Sequence, residues 1–383
     1  MAEKIYDVAI VGAGCAGLSL ATQLGSSAPD LSVVLLDSRR QYENDRTWCF
    51  WSSGNSTVED LIEMRWQRWR FADKMNRSIL HNGQLYHYAC VRSERFYRHA
   101  LQQIASVNYN LHLDSPVSTI SSSARGIQIT AGDKEFIVHQ VIDTRPDKHT
   151  NAKLYQVFAG FEIETDSAVF DPDEVGLMED MTADRQGFRF VYTLPFSSRK
   201  ALIEITRFAP HPIQPNTLNS ELEAYLVGRN LHSARIVRQE YGLLPMDLNT
   251  KLKSKDPRII HAGMSAGAIR AATGYAFQRI QDWAQSCAAS IAKGGPALPH
   301  APEKPLRGWL DSVFLTALKR NPHDGADYFL KIANALPPDA FARFMTDSGN
   351  IVDYARLVTA LPPLPLLTAA AQVCAFSNTR VKP

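Results

Sequence analysis

The chain has few cysteines, and none stands at the spacing of a metal or disulfide motif. Its 383 residues include five scattered cysteines without a CxxC pair: Cys15, Cys49, Cys90, Cys287 and Cys374. This usage is typical of reduced thiols inside a cell rather than of a disulfide framework. No Ser-His-Asp set or histidine cluster with ligand spacing emerges either, so we expect no metal and a cytoplasmic protein.

Net charge and long apolar runs are also scarce. The 41 Lys and Arg residues nearly balance 39 Asp and Glu, for a formal charge of +2, which disfavours a nucleic-acid-binding surface. The charged start, MAEKIYD, lacks the apolar region of a signal peptide. The longest charge-free stretch, Leu357–Thr379, is interrupted by Pro362, Pro363 and Pro365, and the remainder is shorter than the about 20 residues of a spanning helix.

The chain is long and apolar enough to bury a large hydrophobic core. Hydrophobic residues make up 45% of the sequence, which is typical of a folded protein. At about 100–200 residues per domain, the length predicts two domains, or one large α/β unit that carries an inserted lobe.

The first forty residues predict a dinucleotide-binding unit. Ile5–Val11 is an apolar strand-like run, and after a glycine turn and a helix comes a second such run that ends at Asp37. The turn has the spacing G-x-G-x-x-G. Gly12 permits the tight turn, Gly14 lets a pyrophosphate approach the backbone, and Gly17 lets the helix pack against the strand. Asp37 is placed to accept hydrogen bonds from a ribose.

Two later segments suit a long cofactor. Arg95 lies in the first turns of a helix that begins at Ser93, where it either reaches a diphosphate or is a solvated surface arginine. Arg258–Gly263 is a strand that leads through small residues into a helix, a second glycine-bearing turn for a flavin end. FAD and NAD both fit the first turn alone, but its position at the start of a long chain favours FAD. The predicted cofactor-binding residues are Gly12, Ala13, Gly14, Gly17, Asp37, Arg95, Gly263, Gly267, Thr273 and Gly274.

The remaining sequence predicts a sheet and then helices. Strand patterns run through 158–164, 188–194 and 201–208, and amphipathic helices follow at 306–319, 326–335 and 338–345. We predict an α/β protein in which a Rossmann-like FAD-binding domain of glutathione-reductase type (1–150 and 255–300) carries an inserted antiparallel sheet, the substrate domain (151–254), and a helical C-terminal region (301–383).

One carboxyl group stands out within this sheet. Strand alternation places Glu204 and Thr206 on one face, and Phe188, Phe190 and Tyr192 share a face of the preceding strand. If these faces point inward, burial raises the pKa of Glu204 and keeps a proton on it, while the aromatic rings stabilise a developing cation.

Structural interpretations compete with this one. Glu204 can instead pair with Arg189, Arg207 or Lys200 at a sheet surface. Trp48, in a tryptophan-rich stretch, either lines a pocket for a large apolar ligand or packs in the core.

Together the motifs resemble those of the lycopene cyclase family, the FAD-dependent carotenoid ring-forming enzymes of bacteria and plants, and the bacterial β-cyclases in particular. The resemblance covers nearly the whole chain. It is carried by 11–14, Asp45–Trp51, Ser93–Phe96, Phe188–Pro195, Leu202–Thr206, Tyr241–Pro245, Gly263–Phe277 and Leu361–Leu366.

The resemblance implies an isomerase. A terminal double bond of lycopene or a similar polyene is protonated, a neighbouring alkene attacks the carbocation, and proton loss closes a β-ionone-type ring. It implies reduced FAD without net electron transfer, and it places the essential acid at Glu204. Because the polyene is dissolved in membranes, we expect peripheral membrane contact by an apolar patch near the stretch after Leu357.

One position departs from the family pattern. A second acidic residue usually follows the first directly, and here Ile205 takes its place. Adjacent strand residues face opposite ways, so Glu204 can still face the pocket. Cyclisation of another polyene or terpenoid, redox chemistry by a flavin monooxygenase or prenyl reductase, and a flavoprotein fold kept for binding remain alternatives.

Overall fold

The computed structural model describes residues 4–147, 151–248, 252 and 254–379. Its strands are β1 (Ile5–Val11), β2 (Val33–Leu36), β3 (Thr47–Ser52), β4 (Met64–Trp66), β5 (Arg68–Asp73), β6 (Ser78–Asn82), β7 (His87–Arg92), β8 (Tyr109–His112), β9 (Val117–Ser123), β10 (Gly126–Ala131), β11 (Lys134–Asp143), β12 (Ala152–Glu164), β13 (Glu174–Asp184), β14 (Gly187–Ser197), β15 (Lys200–Ala209), β16 (Arg235–Leu248) and β17 (Ile259–His261). Its helices are α1 (Cys15–Ser27), α2 (Ser93–Ala105), α3 (Pro215–Gly228), α4 (Phe277–Ala292), α5 (Pro305–Arg320), α6 (Gly325–Ala335), α7 (Pro338–Met345), α8 (Ile351–Ala360) and α9 (Pro363–Thr379).

The first sheet positions both glycine turns. Strands β8, β2, β1, β11 and β17 pair in parallel, and β10 and β9 extend the sheet in antiparallel fashion. The carboxyl ends of parallel strands meet at one edge of a sheet. The turn after β1 and the turn after β17 therefore lie at the same edge, and helices α1 and α4, which follow these turns, pack in one apolar core.

The second sheet has the order β16-β12-β15-β14-β13-β5-β6. Its pairs are antiparallel except that β5 runs parallel to β13. The long strands predicted from alternation are present, but β5 and β6 come from the range predicted to be wholly FAD-binding. One face of this sheet is covered by α3, whose Leu218 and Leu222 pack on Ile203 and Ile205. The other face is turned towards the C-terminal helices.

The C-terminal helices begin and end close to their predicted bounds. The expectation that prolines interrupt the stretch after Leu357 is confirmed, because α8 ends at Ala360 and a separate helix, α9, begins at Pro363, with Pro363 and Pro365 in its first turn. Proline is tolerated there because those N–H groups have no partner within the helix. In the described part of the chain no helix alone is long and apolar enough to cross a membrane. Helices α8 and α9 reach that measure only as a pair bent by 112°.

The division of the chain into four ranges stays a prediction. Its boundaries at 150 and 254 adjoin residues 148–150 and 253, which lie outside the described residues, as do residues 1–3 and 380–383 of the terminal ranges.

Candidate active site

A cavity of about 730 Å³ joins the glycine turns of the first sheet to the second sheet and the C-terminal helices. We call it the apolar cavity, since hydrophobic and aromatic side chains dominate its wall. Its lining includes Gly14, Arg39, Trp48, Cys49, Phe190, Tyr192, Glu204, Thr206, Gly263, Thr273, Gly274, Trp309, Val358 and Leu367. The cavity therefore brings predicted cofactor residues and predicted substrate residues into one continuous space.

The first glycine turn has the backbone geometry that its spacing predicts. Gly12 has a φ of +92°, which favours glycine, and a Cβ on Gly17 would collide with the Gly12 carbonyl oxygen. Helix α1 begins after Gly14 without a side-chain cap or an acidic residue in its first turn. Its free N–H groups and the positive end of its dipole thus suit a bound anion.

Asp37 and Arg39 support this turn. The Asp37 carboxylate accepts hydrogen bonds from the backbone N–H groups of Ala13, at 2.6 Å, and Arg39, at 2.8 Å. The Arg39 guanidinium lies over the rings of Tyr42 and Tyr97, and its Nη2 would be 3.5 Å from a Cβ on Gly14. Sequence reasoning missed Arg39, although a basic residue just after the strand-end acid was a signal for it.

Of the ten predicted cofactor residues, Gly14, Gly263, Thr273 and Gly274 line the apolar cavity. Gly12, Ala13, Gly17 and Asp37 form or support the first glycine turn, whereas Arg95 and Gly267 take no part in that turn. Arg95 donates hydrogen bonds to the carbonyl oxygens of Asp60, at 2.6 Å, and Ile62, at 3.2 Å. Bound in this way, Arg95 is not part of the cavity wall, so the predicted diphosphate contact is corrected to a structural one. Gly267 is not part of the cavity wall; with a φ of +110° it ends a short 3-10 turn.

An unpaired polar atom lies beside the second glycine turn. Gly263 and Gly274 have φ values of +80° and +73°, and a Cβ on Gly274 would collide with the Gln156 side chain. Gln156 Oε1 is buried at the cavity wall and has no hydrogen-bond partner in the described part of the chain. A buried unpaired acceptor is costly, so this turn suits a ligand with hydrogen-bond donors.

Glu204 lies in β15, between β12 and β14, with its side chain in the apolar cavity. The residue is 6% exposed, and its Oε1 has no hydrogen-bond partner among the described residues. The alternative of a surface ion pair is wrong, because the three cations proposed for it bind other carboxylates: Arg189 binds Asp180, Arg207 binds Asp184 and Glu221, and Lys200 binds Glu162.

The surroundings of Glu204 favour its protonated form. Burial raises its pKa well above the ordinary value, and the neighbouring Glu240 carboxylate raises it further, against smaller opposing effects of Arg238 and Arg46. Both main causes penalise the charged form. Glu204 is therefore a carboxylic acid that can donate a proton at neutral pH.

The predicted aromatic wall is present except at one position. Phe190, Tyr192 and Thr206 line the apolar cavity, as does Trp48, which stacks on Phe277 with ring centroids 5.2 Å apart. Phe188 does not line it. Its ring is covered by Phe329 of α6, at a centroid distance of 5.2 Å, so the prediction that Phe188 contacts substrate is corrected to a core contact.

Sequence reasoning also missed a cluster of three phenols. Tyr192 donates a hydrogen bond of 2.7 Å to Tyr88, whose hydroxyl lies 2.9 Å from that of Tyr275. Burial raises the pKa of each of the three, so all stay neutral. Neutral rings present electron-rich faces that stabilise a nearby cation.

Comparison with known proteins agrees with this arrangement. The model of the family described as "Lycopene cyclase protein" matches residues 7–371. A "Lycopene beta-cyclase" of Pantoea ananas is 26% identical over 95% of this chain and 97% of its own length.

Solved structures show the fold. A geranylgeranyl bacteriochlorophyll reductase-like protein from Thermoplasma acidophilum superposes with a TM-score of 0.62 at 12% identity, over 94% of this chain and 96% of that one. A variant of the halogenase PltM in complex with FAD superposes with a TM-score of 0.57 at 11% identity, over 99% and 93% of the two chains. The predicted flavoprotein fold, with its inserted sheet and helical C-terminal region, is thus confirmed, and the family match over nearly the whole length means that this chain belongs to the lycopene cyclase family.

Proposed function

We propose that this protein is an FAD-dependent lycopene β-cyclase that closes β-ionone-type rings at linear end groups without net oxidation or reduction. The observation that carries the proposal is Glu204, a buried acid without an ion pair among the described residues, in an apolar cavity that extends to a dinucleotide-type glycine turn. Such a site can protonate an alkene and keep water from the resulting carbocation.

The residues present fit FAD. The open N-terminus of α1 and Arg39 suit its diphosphate, Asp37 its ribose, and the unpaired Gln156 Oε1 at Gly274 a donor of the flavin ring. By resemblance to the family, bound FAD in its reduced form supplies acid–base assistance or charge stabilisation.

The chain's own residues then account for the chemistry on the substrate. Glu204 transfers its proton to the terminal double bond. Phe190 and Tyr192, on the neighbouring strand β14, stabilise the positive charge that moves into the closing ring. The neighbouring alkene attacks, and loss of a proton restores neutrality.

The substrate reaches the cavity from a membrane surface in this proposal. Trp309, Val358 and Leu367 line the cavity and are also solvent-exposed, at 39%, 50% and 66%. An apolar mouth of this kind suits peripheral contact with lipid, so a polyene can enter without crossing water.

Anaerobic turnover tests the function. The FAD-loaded protein, reduced with dithionite, is incubated with vesicles that contain lycopene, and the products are analysed by mass spectrometry and absorption. We expect several rings per flavin and an unchanged substrate mass. A gain of one oxygen or of two hydrogens would instead identify a monooxygenase or a reductase, and turnover only with a different polyene would change the substrate.

A further inference from the structure

A second cavity lies against the first. It is polar, and we call it the polar cavity; its wall includes the charged side chains of Arg92, Glu162, Lys200 and Arg238. Three residues, Asp45, Arg46 and Glu240, line both cavities. Glu240 therefore stands in the wall between a polar, charged space and the apolar space that holds Glu204.

The sheet register brings Glu240 to Glu204. In the centre of β12, Gly160 is the partner of Glu204 on one side and of Glu240 on the other. Residues directly opposite each other in antiparallel strands point to the same face. A Cβ on Gly160 would be 2.7 Å from Glu204 Cγ, so the missing side chain is what lets the two carboxyl groups meet over this strand.

Glu240 is held in place from the polar side. Its Oε2 accepts a hydrogen bond of 3.1 Å from Thr47 and pairs with the Arg238 guanidinium. The next carboxylate along, Glu162, is buried, yet hydrogen bonds from Arg92, Lys200 and Arg238 lower its pKa to about 2. Glu162 thus stays ionised and cannot carry protons, and it does not line the apolar cavity.

The other groups around Glu204 offer no better route. Cys49 and Tyr192 face it from β3 and β14, and burial raises the pKa of both far above neutrality. Arg238 and Arg46 contribute positive charge but cannot release a proton in a protein. Among the described residues that line both cavities, Asp45 holds its carboxylate near the hydroxyl of Tyr97, whereas Glu240 is the partner that acts directly on Glu204.

We propose that Glu240 is a proton relay that returns a proton from water in the polar cavity to Glu204 after each ring closure. This inference rests on the proposed function, because it concerns the recharging of the same acid. For each ring, Glu204 gives one proton to the substrate carbon, water gives one to Glu240, Glu240 passes one to Glu204, and the proton lost by the carbocation goes back to water. Protons and charge therefore balance.

Burst kinetics test the relay. Glu240→Gln, loaded with reduced FAD and equilibrated at neutral pH, starts with a protonated Glu204. We expect the first ring per enzyme to form at nearly the wild-type rate and later rings at least tenfold more slowly, with KM unchanged. Added formate should restore the later turnovers, since a small acid can enter the polar cavity. A merely structural role would slow the first and later rings alike, and would not respond to formate.

Matched variants complete the experiment. Glu179→Gln removes another carboxyl group of the same sheet, one that lines neither cavity, and should leave both phases unchanged. If Glu240→Gln fails to retain FAD, Glu240→Asp takes its place, with a smaller slowing confined to later rings. Equal slowing of both phases, or of neither, overturns the relay. Failure of the wild-type protein to close rings in the same vesicles is a separate result, which overturns the proposed function.

Discussion

A carboxyl group that is buried without an ion pair lowers the stability of a folded protein whenever the pH favours its ionised form. The pKa of Glu204 is raised in the folded state, by burial and by Glu240. Its contribution to stability is therefore fully present below the unfolded value of about 4.3 and is lost as the pH rises through the folded pKa. The site thus keeps its acid at the expense of stability at neutral pH.

The variant Glu204→Gln tests both the role of Glu204 as an acid and its cost in stability. Glutamine has nearly the same shape but no ionisation, so we expect a higher Tm than wild type at pH 7–8, a Tm close to wild type at pH 4, and no ring closure. Thermal unfolding at both pH values and lycopene turnover provide the measurements, with flavin content as the control for an intact cofactor site. Near-normal turnover in this variant would remove Glu204 from the mechanism.

Gly14 tests the cofactor assignment at the same scale. In Gly14→Val the new side chain would fill the space between the start of α1 and Arg39, where the diphosphate is proposed to bind. We expect purified Gly14→Val to lack bound flavin by absorbance. Gly228→Val is the matched control, because Gly228 ends α3 and no atom of the described residues lies within 4 Å of its Cβ position. A fully loaded, yellow Gly14→Val protein would contradict the assignment.

The residues that sequence reasoning found are those whose signal is local. The glycine spacing fixes Gly12, Gly14 and Gly17 within one turn, and alternation places Glu204 on a face of its strand. Glu240 and the phenol cluster join the site only through contacts between residues far apart in sequence, and such contacts cannot be predicted from the local pattern of hydrophobic and polar residues. The predictions for Arg95 and Phe188 were wrong for a related reason. Each residue lies on the predicted element, but a segment distant in sequence binds the Arg95 side chain and another covers the Phe188 ring.

At the scale of elements, α3 closes the face of the second sheet opposite the apolar cavity. Leu218, Leu222 and Leu226 recur every four residues along this helix and are buried against Ile203 and Ile205. The alternation that turns Glu204 into the cavity is thus fixed from behind by an apolar layer, since a slip of one residue would expose that layer.

The variant Leu222→Ala tests how much this apolar layer contributes to stability. We expect the free energy of unfolding to fall by about 2–5 kcal/mol, the usual cost of such a cavity, with the rate of ring closure by the folded protein unchanged because α3 does not line the apolar cavity. Urea titration and lycopene turnover check the two parts. Val227→Ala on the exposed side of α3 is the control, with little change expected. A large loss of turnover in folded Leu222→Ala would mean that the sheet moves with its helix.

Pairing between elements also explains what the sequence left out of the sheet. Strands β5 and β6 are short, and their sequences do not indicate which sheet they join. In the structure, β5 pairs with β13, about a hundred residues later in the chain. The resulting sheet spans the predicted boundary between the first two ranges. Element types were therefore predictable from period and length, whereas the membership of a sheet was not.

At the scale of the whole molecule, the position of the exposed apolar residues matters more than the small net charge of +2. Leu364 at the start of α9 is 75% exposed and adjoins cavity-lining residues such as Pro363 and Leu367. We propose that the protein meets the bilayer at this exposed apolar surface, beside the lining of the apolar cavity.

Leu364→Glu tests that orientation. Insertion of one leucine into lipid contributes about 1.5–3 kcal/mol, and about 1.4 kcal/mol corresponds to a tenfold change in an equilibrium constant. We therefore expect the variant to bind neutral phosphatidylcholine vesicles at least tenfold more weakly in a flotation assay, with flavin content unchanged. Leu85→Glu is the matched control, since Leu85 is 69% exposed but lies in the turn between β6 and β7, outside the lining of the apolar cavity. Equal loss of binding in both variants would point to general surface hydrophobicity, and no loss in Leu364→Glu would place the membrane contact on another face of the molecule.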